Sequence, residues 1–535
     1  MQPGSLSHDA LSQSSASPYD AVPYPSGVFA QTHPDRLGTI GRLFGLRPAP
    51  VERARVVEFG CGDATNLIAM AITLPQGRFY GVDLAAAPIR RGRQMIQALG
   101  LGNIRLEQMD LLQAPEDLGE FDYIIAHGLY SWVPEPVREK LLALCGAHLS
   151  EQGIAYISYN AYPGNHLREL TRGMLQYHLQ QFSEPQEQVR QARTLMKFLS
   201  EAKPKPNQWQ QLMAHEFERI QQYPDAGLFH DDLSPTNQPF YFHEFIRAAE
   251  RHGLRFLAEA DITDMQVAGL TEEATGVMRK LEQCNLVARE QYLDFVCGRA
   301  FRQTLLCHQE RAPNAELAPE RAEDLFAAAD TRPVSPAGDW ARGKSQDFQR
   351  GKAIVATSTP VVKAALMILG EIWPSRIGFP ELLVRSQERV VTAGGQPEGL
   401  GGDGPALGEF LVRSYLIGFV DLHAWPSCFV TGISERPLAS ALVRRQLENG
   451  PVACSVRHQT LRIEDSLGRA LLKLLDGTRD QNALIDALTA EVLSGAAELF
   501  KDGQPVTHPD QVRTSISAGL ESNLRRTAEL GLLVG

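Results

Sequence analysis

The sequence predicts an α/β protein built on a doubly wound parallel sheet, and three observations predict it. Residues 55–74 read as strand, tight turn, helix. The run Arg55-Val56-Val57-Glu58-Phe59 ends in Gly60-Cys61-Gly62, and Leu67, Ile68, Met70, Ala71 and Leu74 follow at helical spacing. Strand-like and helix-like segments then alternate through Tyr159, the pattern of parallel strands joined by crossover helices. Glu58, Asp83, Asp110, His127 and Asn160 all fall at the carboxyl ends of predicted strands, where ligands lie in such sheets.

The chain has 535 residues, enough for two to four domains, each with its own core. Hydrophobic content of 43% and charged content of 21% are those of a soluble globular protein. Residues 1–17, rich in Ser, Gln and Ala, are expected to be a disordered tail. Residues 18–165 are the expected ligand-binding core. Its first part, with four prolines in 18–35, reads as an extended arm, followed by a helix from Asp35 or Thr39 to Leu46. Strands are expected at 55–59, 78–83, 104–108, 121–126 and 154–159, with helices at 64–73, 87–99 and 136–148.

After the fifth strand the pattern changes. Leu167–Phe182, Pro185–Ala202 and Trp209–Gln222 read as helices, too long for an ordinary connection. We therefore expect a helical insertion or lid over 166–240, with 241–310 completing the sheet. In that completion 241–252 is a helix, 253–259 a returning strand, and 291–307 the last, antiparallel strand. Residues 311–433 are expected to be a linker with some helix and a helical middle region. Within them 392–408, with seven glycines and two prolines, reads as a flexible loop. Residues 434–535, helices around a ribbon at Val452–Ile463, read as a mostly α, winged-helix-like module.

The turn and its acids point to a ligand. Glycines without Cβ atoms let a ligand approach the backbone, and a carboxylate about twenty residues on, Asp83, suits ribose hydroxyls. A dinucleotide and S-adenosylmethionine both use such turns. The third glycine of the dinucleotide fingerprint would fall at Thr65, and Glu58 would repel a pyrophosphate. S-adenosylmethionine has no phosphate and carries a sulfonium and an ammonium, so an acid-lined crevice suits it better.

The stretches 19–33, His127-Gly128-Leu129-Tyr130-Ser131-Trp132-Val133-Pro134 and Ser158-Tyr159-Asn160-Ala161-Tyr162-Pro163-Gly164, set around this turn, make the reading more specific. They resemble the class I methyltransferases that carry a methyltransferase regulatory domain, a family that includes rickettsial lysine methyltransferases acting on outer-membrane proteins. The resemblance implies a Rossmann-like sheet, S-adenosylmethionine as cofactor, and methyl transfer to lysines of a protein. It implies an arm folded over the cofactor, with Tyr19, Tyr24 and His33 as contacts, and Asp110 near the adenine amino group. Glu58, Gly60, Cys61, Gly62, Asp83, Leu84, Leu111 and His127 complete the expected cofactor set. Asp110 also suits the N-cap of a turn at Leu111–Leu112.

A lysine acceptor must lose its proton, against a reference pKa of about 10.4, and desolvation by aromatic side chains helps it do so. Tyr130, Trp132, Tyr159 and Tyr162 are the expected aromatic walls and Asn160 the expected carbonyl acceptor. Each ring alone also suits core packing. A small-molecule methyltransferase, and a cofactor-binding regulatory protein without catalysis, are the alternatives.

Charge argues against nucleic acid. The net charge is −11, and 434–535 holds 12 Lys and Arg against 13 Asp and Glu. Seven scattered cysteines read as free thiols of a reducing compartment. No secretory leader or bilayer-length apolar run is found, so the expected place is the cytoplasm, with no membrane partner. An envelope or secreted acceptor would be met before export, and a homodimer is an open option. No metal is expected: His230, Asp231, Asp232 and His243 match no ligand spacing, and turn capping by Asp231 or Asp232 is the better reading.

Overall fold

The computed structural model describes Val22 and residues 26–535, apart from 267–268, 312, 315–316, 336–339, 341–342, 397, 427–429, 431 and 502. Tyr19, Tyr24 and the tail at 1–17 lie outside the described residues.

Helix α1 (Pro34–Leu43) precedes the sheet, with the His33 side chain as its N-cap and Pro34 in its first turn. Strand β1 (Arg55–Phe59) leads through the glycine turn to α2 (Thr65–Thr73). Next come β2 (Arg78–Asp83), α3 (Ala86–Leu99), β3 (Ile104–Gln108), β4 (Phe121–Ala126), α4 (Glu135–His148) and β5 (Leu149–Asn160). These segments form because their apolar residues alternate between near-continuous buried runs, as in β4, and one-sided helices such as α3.

The insertion is three helices, α5 (Asn165–Leu179), α6 (Pro185–Glu201) and α7 (Gln208–Gln222). Asn207 and Gln210 form a reciprocal capping box that starts α7. Leu175, Val189, Met196, Met213 and Ile220 give the insertion its own small core. Then α8 (Phe242–Glu250), β6 (Leu254–Glu259), α9 (Glu272–Cys284), α10 (Leu286–Cys297) and β7 (Phe301–His308) close the sheet. Residues 291–297, expected as strand, are helical: only 301–308 pair, antiparallel, with β5 and β6. The order is β3-β2-β1-β4-β5-β7-β6, with β7 alone antiparallel.

The middle region departs most from expectation. It contains β8 (Phe326–Ala328), β9 (Arg332–Pro333), β10 (Gln346–Arg350) and β11 (Ala353–Thr357), strands where a linker with some helix was expected. After α11 (Pro360–Ile372), β12 (Ile377–Gly378) and α12 (Phe379–Thr392), the glycine-rich stretch is largely helical, as α13 (Leu400–Leu416). Strand β13 (Asp421–His423) completes a small sheet with β8 and β12. Leu366, Leu382, Leu407 and Leu422 belong to the same buried cluster as Val57 and Ile124 of the main sheet, so this region shares the main core.

Residues beyond 440 form α14 (Ala441–Gln446), the ribbon β14 (Val452–Cys454) and β15 (Thr460–Arg462), α15 (Ser466–Leu474), α16 (Gln481–Leu493) and α17 (Pro509–Glu529). Asp465 and Asp480 cap α15 and α16. A separate core of Leu471, Leu484, Leu488, Ile516 and Leu520 holds the module together.

Candidate cofactor and acceptor site

The site is built at the carboxyl edge of β1. Gly60 and Cys61 both donate their N–H to Val82 O, at 2.8 and 3.1 Å, which ties the turn to the neighbouring strand. Gly60 has φ +76° and Gly62 φ +56°, a region disfavoured for residues with a Cβ. A Cβ on Gly62 would meet nothing within 4 Å, so space stands open above this backbone. Cys61 fills its place as a small side chain, its thiol pushed up by burial and by Glu58.

Glu58 is 3% exposed. Its Oε1 accepts from Asn66 Nδ2 at 3.1 Å, and its Oε2 is buried without a hydrogen-bond partner among the described residues. Burial pushes the carboxyl up to about 8; the Asn66 bond opposes this, and the Asp83 and Asp63 carboxylates add to the rise. Asp83 holds the turn, accepting from Gly62 N–H and Ala85 N–H, each at 2.8 Å. Leu84 beside it is 67% exposed. Asp110 is exposed and caps the next turn, accepting from Leu112 N–H at 3.0 Å, while Leu111 is buried. An unpaired buried carboxylate oxygen, open space over a glycine and a second acid at the next strand end suit a phosphate-free cationic nucleoside.

The arm closes another side. Phe29 lies over the His127 ring, centroids 3.9 Å apart, and its N–H donates to Asn66 Oδ1 at 3.1 Å. His127 Nδ1 is 2.8 Å from Tyr156 Oη, which donates to Gln303 Oε1 at 2.9 Å, so Nδ1 is the donor of the pair. Burial lowers His127 to about 4. His33 is buried, caps α1 through Asp35 N–H, and packs edge-on to His458 at 4.9 Å. Burial lowers it to about 4 although Asp35 opposes this.

The expected acceptor residues separate into two groups. Tyr130 and Tyr159 lie in a buried aromatic core with Phe240 and Phe245; Tyr159 stacks on Phe245 at 4.2 Å and its hydroxyl meets Thr304 Oγ1. Asn160 faces the other way along the strand. Its N–H donates to Ser131 Oγ at 2.9 Å, and its Nδ2 donates to Asn237 Oδ1 at 2.8 Å, which commits the donor and leaves the carbonyl as acceptor. Trp132 is half-buried in the short turn 130–132 that carries Ser131. Tyr162 stacks on His166 at 4.1 Å and donates to Glu169. Sequence reading missed Tyr156, Asn66 and Asn237. Tyr156, Ser158 and Asn160 are spaced by two, so strand alternation itself marks them as one polar face opposite Tyr159.

Among the described residues no group of three His, Cys, Asp or Glu is placed to hold a metal ion. Asp232 is not a turn cap: it is buried and pairs with Arg168 and Arg219, at 2.8 and 3.0 Å. Asp231 accepts from Tyr223, and His243 meets Gln291. No described helix is long and apolar enough to cross a membrane.

Three known domain families match the chain. A methyltransferase domain matches 56–153, a "Predicted methyltransferase regulatory domain" matches 224–308, and the "PKMT, C-terminal winged helix domain" matches 435–532. The regulatory match begins near the end of the expected 166–240 insertion and covers β6 and β7. Among relatives, the protein RP028 of Rickettsia prowazekii is 36% identical over 240 residues, 45% of this chain and 96% of that protein. RP789 of the same organism is 28% identical over 97% of this chain and 94% of its own length. The structure of PKMT2 from Rickettsia typhi in complex with AdoHcy superposes with TM-score 0.84 at 27% identity, over 96% of this chain and 100% of that one.

Proposed function

The chain belongs to the class I S-adenosylmethionine-dependent methyltransferases that carry a methyltransferase regulatory domain, and from that premise we propose that it methylates lysine side chains of a protein. The likeness to PKMT2 along the whole chain, winged helix included, carries the acceptor part of this reading.

Glu58 Oε2 is the acceptor for the cofactor's ammonium, and Asp83 the acceptor for its ribose hydroxyls. Asp110 serves the adenine edge, with Leu84 and Leu111 beside it, while Phe29 and His127 cover the other side. When bound, the cofactor supplies a methyl group already activated by its sulfonium, so the chain's work is alignment and exclusion of water. Asn160 offers its carbonyl to the incoming amine, with Trp132 as an adjacent wall. The apolar block of Tyr130, Tyr159 and Phe245 lies behind, lowering the polarity the amine meets and favouring its neutral form. The acceptor class is an envelope or secreted protein, met before export.

The test is purified full-length chain with methyl-labelled cofactor and a cell-envelope extract. Label on protein lysines, located by peptide mass spectrometry, is expected. Label confined to small metabolites would contradict the acceptor assignment.

A further inference from the structure

The cofactor crevice reaches a side chain from the far end of the sequence. The tip of the β14–β15 ribbon folds back on itself, Ser455 N–H donating to Gln459 O and His458 N–H to Ser455 O. His458 adopts φ +58°, a region disfavoured for a residue with a Cβ, and is 5% exposed. Its Nε2 lies 2.8 Å from Asn66 Oδ1, 392 positions away in sequence. Two residues on, Thr460 Oγ1 accepts from Val28 N–H at 2.9 Å, so the ribbon also fixes the arm.

The direction of these bonds is determined. Phe29 N–H can only donate, so the Asn66 atom it meets is the carbonyl oxygen. Nδ2 of Asn66 therefore faces Thr32 Oγ1 at 3.0 Å and Glu58 Oε1 at 3.1 Å. His458 must then donate from Nε2. One amide thus joins the arm, the end of β1, the start of α2 and the C-terminal ribbon. All the amide's bonds are made, and among the described residues Glu58 Oε2 is left without a hydrogen-bond partner.

We propose that His458 is a positioning residue for cofactor binding: its Nε2–H locks the Asn66 carbonyl, so that Nδ2 grips Glu58 Oε1 and presents Oε2 to the cofactor's ammonium. The proposal rests on the reading of Glu58 given above. It makes the C-terminal module part of the cofactor site, so that the ribbon must be docked for the chain to bind cofactor at full strength. Gln places an amide N–H at a similar distance from the backbone, and Ala places none.

The experiment is calorimetric titration of S-adenosylhomocysteine into the full-length chain, with the variants His458→Ala, His458→Gln, Glu58→Gln and the His458→Ala/Glu58→Gln pair. The Tm of each, without ligand, is measured alongside. His458→Ala is expected to raise Kd roughly 5- to 30-fold, the effect of one or two kcal/mol from a lost hydrogen bond, and His458→Gln to recover most of it. In the Glu58→Gln background His458→Ala is expected to change Kd less than about twofold, because the two residues act along one path. Equal Kd for the wild type and His458→Ala would overturn the inference alone, as would the same fold-loss in both backgrounds. A wild-type chain that binds no ligand, or a Glu58→Gln chain that binds as well as the wild type, would overturn the reading of the crevice and this inference with it.

Discussion

Glu58 holds a carboxyl near 8, far above its ordinary 4.5, because it is buried among other acids. A carboxyl raised by folding favours the empty chain below the ordinary value, and that contribution is lost as pH rises towards about 8. A bound ammonium reverses the preference by stabilising the ionised form. Binding at about pH 7 should therefore release a proton, read as a dependence of the calorimetric enthalpy on the buffer's ionisation enthalpy. Glu58→Gln should abolish that dependence, and its persistence in this variant would remove Glu58 as the source. Asp83→Ala should weaken cofactor binding by about 1.5–3 kcal/mol, the worth of a charged hydrogen bond. An unchanged Kd would contradict the ribose role. The placement of the acids at 58, 83 and 110 at or just past strand ends was legible because a glycine turn and apolar runs mark those ends. Asn66 was not, since nothing local distinguishes a helix-start Asn from any other.

At the scale of elements, helices and parallel strands through β5 follow from periodicity, and so do the three insertion helices. Where periodicity fails, partners decide. Residues 291–297 carry strand-favouring side chains in Tyr292, Phe295 and Val296 yet are helical. Asp294 in that helix receives Arg302 at 2.8 Å, a charge fully buried with Glu259 and Glu290 and lying 3.9 Å over the Phe242 ring. No window of sequence contains that network. Arg302→Met would take the shared cation from three buried carboxylates; Asp294 keeps Arg299 and Glu290 keeps Arg289, but Glu259 loses its ion-pair partner, and removing one partner of a buried ion pair costs about 3–5 kcal/mol. Amide exchange should accelerate in β6 and β7 and stay unchanged in α15–α17; uniform protection in both would contradict the role of the network. The stretch 392–408 misled for a related reason. Gly408 stands where a Cβ would come within 2.7 Å of Pro319 O, so glycine there permits close packing of a helix rather than flexibility. The weak strands β8 and β9 escape notice because they are completed by residues distant in sequence, whereas β10 and β11 form a local hairpin that the polar composition of 310–355 masked.

For the whole molecule, boundaries drawn from composition and the cores formed in space differ. The middle region shares the main core, and its contact with α1 is charged as well as apolar. Burial alone would raise the Asp35 carboxyl, but Arg376 and His423, at 3.0 and 2.8 Å, hold it below the usual carboxylate range. Arm, middle region and ribbon therefore converge on one short stretch, residues 26–35, beside the crevice. The most direct test of the account is a crystal structure of the full-length chain with S-adenosylhomocysteine. The ligand's amino group is expected within hydrogen-bonding distance of Glu58 Oε2 and its ribose hydroxyls on Asp83. A ligand bound elsewhere, or bound with Glu58 Oε2 still unpartnered, would contradict it.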